Sequence, residues 1–275
     1  MDVSKAKTVI IVLLAAFNIF MFVSNLTFND AQSVSKETLK NAEMILEQRG
    51  ITFECEIPVK AGGSHRLEYD KAGLDRESIA AGLLDEGYES RDDSVYFDSG
   101  REIVFSGDTK FVYTDIADVS AATADTDKNK ASEAAYKFME ARGLIDGKYV
   151  LDKFEMKDDR SSVLYFIEKY EDQLLFDNYF LIELSDNRVM RLEYQKHKIK
   201  GFSVENIEQP EVYQTLLSYF KKNREIVITS IESGYKLMGE ASGDSSASIE
   251  PLPVWRVIIK GETEPIYISP HDISL

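Results

Sequence analysis

A serine and a lysine three residues apart can serve as nucleophile and base in acyl transfer. The 275-residue chain carries that spacing at Ser33 and Lys36 and again at Ser218 and Lys221. Ser185, Asp186 and Asn187 match the second motif of penicillin-binding enzymes, but no K-T-G strand completes the set. Ser33 also lies only a few residues beyond an apolar run, which leaves no room for a surrounding site. Asp125, Asp127 and Asn129 fit the first three oxygen positions of an EF-hand loop. Its sixth position needs glycine and is Lys130, and its twelfth needs a bidentate glutamate and is Tyr136. The stretch therefore reads as a linker. His65, His197 and His271 share no ligand spacing, which leaves zinc without support, and His197 between Lys196 and Lys198 reads as a solvated strand end. Patterns for a nucleophile elbow, a dinucleotide loop and a phosphate loop are absent. No catalytic set, metal site or cofactor site is expected.

A different polar group has consequences through its surroundings. Asn18 stands inside the 19-residue apolar run Thr8 to Leu26, which follows Lys5 and Lys7. At 1.5 Å per residue such a helix spans the roughly 30 Å of a bilayer's hydrocarbon core. A cleavable signal would be shorter and end in a small-x-small site, whereas Ala15 and Ala16 are followed by more bulky apolar residues. The run is thus expected to be retained as an anchor, with the N-terminus cytoplasmic and the chain from Phe28 onward outside. Ile11, Ala15, Asn18, Phe22 and Asn25 fall three or four residues apart on one face. Two amides on that face suit contact with a partner helix, where such hydrogen bonds are worth about 0.6–2 kcal/mol.

The net charge of −16 argues against nucleic acid and against a basic surface for anionic lipid or wall polymers. The single Cys55 excludes an internal disulfide framework. In "ITFECEI" it alternates with polar residues, as a core thiol on a half-buried strand does. Trp255 in "PLPVWRVIIKG" reads as a sheet-face anchor, with Pro251 and Pro253 just ahead of the strand.

The elements needed to position these residues read as α+β, with helices on one face of antiparallel sheets. "SVSKETLKNAEMILEQRG" is a stalk helix with a stripe of Leu39, Ala42, Ile45 and Leu46, capped by Ser35 and ended by Gly50. "LDRESIAAGLLDE" is a second helix, followed by strands "SVYFDS", "REIVFSG" and "KFVYTDI". After the polar stretch "SAATADTDKNKAS", a helix with Ala135, Phe138, Met139 and Leu144 on one side leads into four strands ending at "RVMRLEYQKHKI". The order then restarts with helix "QPEVYQTLLSYFKKN" and strands "EIVITSIESGYKLM", "VWRVIIKG" and "PIYISP". The expected division is a cytoplasmic tail (1–7), a membrane helix (8–26), a stalk helix with a first α+β domain (27–122) and a second α+β domain with two helix-plus-strands repeats (127–275).

Two segments carry a family resemblance: "DVSKAKTVIIVLLAAFNIFMF" at the start and "PLPVWRVIIKGETEPIYIS" at the end. They resemble the YycI (WalI) family, although Val3 stands where that family's opening has a tryptophan. The final strand pair is also similar to that of the paralogue YycH and of small PepSY-type units. The resemblance implies a non-enzymatic, membrane-anchored regulator of the WalK–WalR two-component system. Such a protein works with a YycH-like paralogue and a WalK-type sensor histidine kinase to adjust cell-wall metabolism. An extracytoplasmic PepSY-like module that binds a ligand or inhibits a peptidase is the alternative, followed by an anchored wall hydrolase using Ser218 or an acidic pair.

Overall fold

The computed structural model describes residues 13–15, 17–18, 21, 36–58, 65–116, 127–207, 211–238 and 250–269. Its elements begin with α1 (Lys36–Gln48), β1 (Ile51–Phe53), β2 (His65–Tyr69), α2 (Arg76–Leu83) and β3 (Glu89–Arg91). β4 (Val95–Phe97), β5 (Arg101–Ser106), β6 (Lys110–Asp115) and α3 (Lys128–Ala141) follow. Next come β7 (Lys148–Met156), β8 (Ser161–Tyr170), β9 (Gln173–Ser185), β10 (Arg188–Gln195) and β11 (Ile199–Asn206). The chain closes with α4 (Val212–Tyr219), β12 (Ile226–Leu237), β13 (Pro251–Ile259) and β14 (Ile266–Ile268). Among the described residues no helix is long and apolar enough to cross a membrane, and most of the 8–26 run lies outside them.

The 13-residue strand β9 organises a 12-stranded sheet. One of its edges pairs with β8, which pairs with β7. Its other edge forks. Leu174 and Leu175 run parallel to β12, which continues to β13 and β14. Residues from Tyr179 to Ser185 pair instead with β10, and the sheet proceeds through β6, β5, β4 and β3. β1 adds in parallel to β12, and β2 with β11 forms a separate two-stranded ribbon. Strands from both sides of residues 117–126 therefore share one sheet.

Local chemistry explains much of this. Glu171 and Asp172 (φ +44° and +66°) join β8 to β9, and Asp186 and Asn187 (φ +50° and +60°) join β9 to β10. Two consecutive left-handed residues are what a two-residue hairpin turn needs to match strand twist. Asp127 caps α3, its carboxylate accepting from the Asn129 and Lys130 amides at 2.8 and 2.9 Å. The second half of the expected linker is thus the first turn of a helix, because an N-cap aspartate satisfies donors that a loop would leave to water. α1 buries Ala42 and Leu46 but leaves Ile45 41% exposed, so its stripe is narrower than the spacing suggested. Gly50 closes it at φ +86°, where a Cβ would stand 3.1 Å from the Arg224 carbonyl oxygen. Pro251 and Pro253 lie inside β13, not ahead of it. They are tolerated because β14 pairs only with Trp255 to Val257, so among the described residues no strand pairs with the proline end on that side.

One face of the sheet is covered throughout. α2 and α3 press Leu83, Ala135 and Met139 onto Leu164, Phe180 and Leu192, all fully buried. The β2–β11 ribbon packs Leu67 on Leu175 and Tyr235. α1 and α4 pack Leu46 and Leu216 on Trp255, Val257 and Ile228. The opposite face closes differently. β13 and β7 are separated by β12, β9 and β8, four steps of about 4.8 Å each. Arg256 on β13 nevertheless donates from Nη1 and Nη2 to Asp152 on β7 at 2.8 and 2.5 Å. The sheet must therefore curl, bringing its two ends together around a concave interior.

Candidate functional site

Of the expected membrane face, Ile11, Phe22 and Asn25 lie outside the described residues, while Ala15 and Asn18 are helical and exposed. Nδ2 of Asn18 donates to the Leu14 carbonyl at 2.9 Å, one turn back. That satisfies one of its two amide hydrogens, and among the described residues the other and Oδ1 have no partner. Leu13, Leu14, Phe17 and Met21 on the same helix are each more than half exposed, at 64, 56, 58 and 54%.

The remaining residues singled out by type are scattered. Ser218 sits in the last turn of α4, with Lys221 beyond the helix end, and Ser185 to Asn187 form the β9–β10 turn. Ser33, Asp125 and His271 lie outside the described residues. Among the described residues no group of three His, Cys, Asp or Glu side chains is arranged to hold a metal. Cys55 is half-buried beside α4 and β12, its thiol raised in pKa by burial. Trp255 is 2% exposed in the core under α1 and α4. His197 is not a solvated strand end. The β2–β11 ribbon brings Tyr69 over it, ring centroids 5.1 Å apart and nearly parallel, and burial lowers the imidazole pKa.

The sheet fork beside His197 holds a polar knot. Lys196 Nζ, 8% exposed, donates to Glu168 Oε1 at 2.8 Å and to Asp146 Oδ1 at 2.7 Å. Asn178 Nδ2 donates to Glu168 Oε2 at 2.6 Å and to the His197 carbonyl at 2.9 Å, and its Oδ1 accepts from the His197 amide at 2.7 Å. Asp177 accepts from Lys236 Nζ at 3.1 Å and the Leu237 amide at 2.5 Å. β9 has to change partners here, so its bulged residues lose ladder bonds and side chains replace them. This knot serves the fold.

Among the described residues two recesses carry charged side chains together with aromatic ones. The larger, about 680 Å³, lies where α3 meets the β9–β10 turn, and contains Arg101, Arg142, Arg188, Asp85, Asp98 and Asp115. Its cations are already engaged: Arg101 with Asp85 and Asp98, Arg188 with Asp115 at 2.6 Å, and Arg142 with the Gly82 carbonyl at 3.0 Å. The second, about 490 Å³, is the mouth of the curled sheet. Val163, Tyr165 and Leu181 form one wall, and Pro265 and Tyr267 face them. At its floor Arg256, 2% exposed, is held by Asp152 and Glu232 and lies over the Phe176 ring at 4.7 Å. Sequence reading missed Arg256. The signal was a lone charge inside the apolar run "VWRVII".

Comparison with known proteins gives a family. A family model described as YycI protein matches residues 29–268. An uncharacterized protein from Eubacterium rectale, solved by crystallography, is similar at 11% identity and a TM-score of 0.48, over 80% of this chain and 87% of that one. The Bacillus megaterium YpeB C-terminal domain is similar at 13% identity and a TM-score of 0.37, over 72% of this chain and 93% of that one. No curated protein sequence matches.

Proposed function

This chain belongs to the YycI family, a regulatory family of the WalK two-component system, and we propose that it acts there as a single-pass membrane protein. In this reading residues 8–26 cross the bilayer, the N-terminus is cytoplasmic, and the folded region is extracytoplasmic. The protein modulates a WalK-type histidine kinase together with a YycH-like paralogue, and thereby cell-wall metabolism. It performs no catalysis of its own.

The family match over residues 29–268 carries the proposal. The exposed apolar side chains of Leu13, Leu14, Phe17 and Met21 support the anchor, since such a helix in water has nothing to cover it. Contact with partner helices is assigned to the face of Ile11, Ala15, Asn18, Phe22 and Asn25, where the spare hydrogen-bonding capacity of Asn18 is worth most in hydrocarbon. In-membrane crosslinking to the kinase and the paralogue tests this. Asn18→Leu is expected to reduce crosslinking severalfold with insertion unchanged. Unchanged crosslinking and unchanged signalling would refute the assigned face.

A further inference from the structure

We propose that the mouth of the curled sheet is a binding site for a lysine or arginine side chain, presented on an extended segment of a partner protein. The site's shape comes first. Val163, Tyr165 and Leu181 oppose Pro265 and Tyr267 across a recess of about 490 Å³, within the size range of ligand-binding pockets. Apolar walls of this kind accept the aliphatic stem of a long cationic side chain and leave its charged head to the rim.

Charge selects the head group. Asp152, Glu155 and Glu264 line the recess, against Lys153 and Arg256, while Glu232 holds Arg256 from outside the lining. Three lining carboxylates against two lining cations leave an excess of one negative charge. Arg256 is fully committed to Asp152 and Glu232. Lys153 reaches Glu155 only at 3.5 Å, with both side chains more than half exposed. Glu264 forms no hydrogen bond or ion pair among the described residues, and it lies on the rim beside the apolar wall. An incoming ammonium or guanidinium therefore meets Glu264, which the fold has not used, and Glu155, held only by an exposed lysine, and the −16 charge of the chain favours its approach. Backbone geometry supplies the extended form. β7 pairs only with β8 among the described residues, so its outer edge beside Asp152 and Glu155 can accept the main chain of such a segment.

The test uses the full chain in nanodiscs and a positional-scanning library of fluorescent pentapeptides, read by anisotropy. Peptides with Arg or Lys between Leu or Val residues are expected to bind about tenfold more tightly than those with Glu or Leu at that position, and added salt should weaken them. Glu155→Gln with Glu264→Gln, both surface changes, should abolish the preference while leaving the denaturation midpoint in place. Glu77→Gln with Glu133→Gln removes the same charge from α2 and α3 on the covered face and should leave the preference intact. No cationic preference, survival of the preference in the rim variant, or equal loss in the control variant would each overturn the site. None of these outcomes depends on the membrane helix, so the site can fail without touching the proposed anchor.

Discussion

The two branches of the sheet beyond the β9 fork solve the same problem with different chemistry. Toward β10, helix α3 lies over the sheet, and apolar side chains such as Met139, Phe180 and Leu192 form one buried cluster. Toward β12, the covered face is equally apolar, but the concave face is closed by the sheet curling until a buried guanidinium, already paired with Glu232 on the adjacent strand, reaches Asp152 four strand steps away. Apolar packing is proportional to area and forgiving of direction. A guanidinium clasp contributes little net stability, because desolvation offsets most of the attraction, but it fixes which strands meet. The first branch is built for stability and the second for shape.

Removing one member from each branch should separate these roles. The largest effect is expected from Phe180→Ala, since the ring is fully buried and stacked on Tyr194 at 4.4 Å. A loss of about 3–5 kcal/mol in denaturant unfolding is expected. Arg256→Met alone should cost roughly 3 kcal/mol, because Asp152 and Glu232 are left facing each other without a cation. Replacing all three by Met and two Leu should recover most of that stability while cationic peptides lose their site. Failure to recover would mean the clasp is a net stabiliser. Gly234→Ala comes next, at about 1–3 kcal/mol by the same measurement. A Cβ there would collide with the Leu174 carbonyl and stand 2.6 Å from the Phe176 ring, and the β9–β12 pairing would have to open.

The smallest effect concerns pH at the fork. Burial lowers the His197 pKa, opposed in part by Asp177, so the folded state resists the proton that the unfolded chain accepts below about pH 6.5. Its contribution is complete above that value and is lost as pH falls through the folded pKa. His197→Phe keeps the stack on Tyr69 and has no proton to take up. The stability difference between pH 7 and pH 5 should therefore be smaller in the variant than in the parent. An unchanged difference would show that His197 titrates as if exposed.

How far the sequence revealed this follows the range of the interactions. The stripe of Ala135 and Met139 and the strand pattern of "SVLYFIEKYE" are local periodicities, and they map onto α3 and β8. The turn at Asp186 and Asn187 carried its own chemistry. β2, β3 and β11 passed unnoticed because "ESR" has no apolar residue and the alternation in "HRLEY" and "IKGFSVEN" is only two apolar residues long, so β2 and β11 become strands by pairing with each other across more than a hundred residues. His197 was misread for the same reason, since its cover, Tyr69, arrives from elsewhere in the chain. The Arg256 mouth was the least legible. Its partner Asp152 is 104 positions away and is brought there only by the curl.

Regulation through the anchor is the central claim. The direct test replaces residues 8–26 with an unrelated membrane span, confirms insertion and surface level, and measures kinase-dependent transcription. The account predicts that the chimaera loses regulation despite an intact ectodomain. Full regulation by the ectodomain on a foreign span would contradict it.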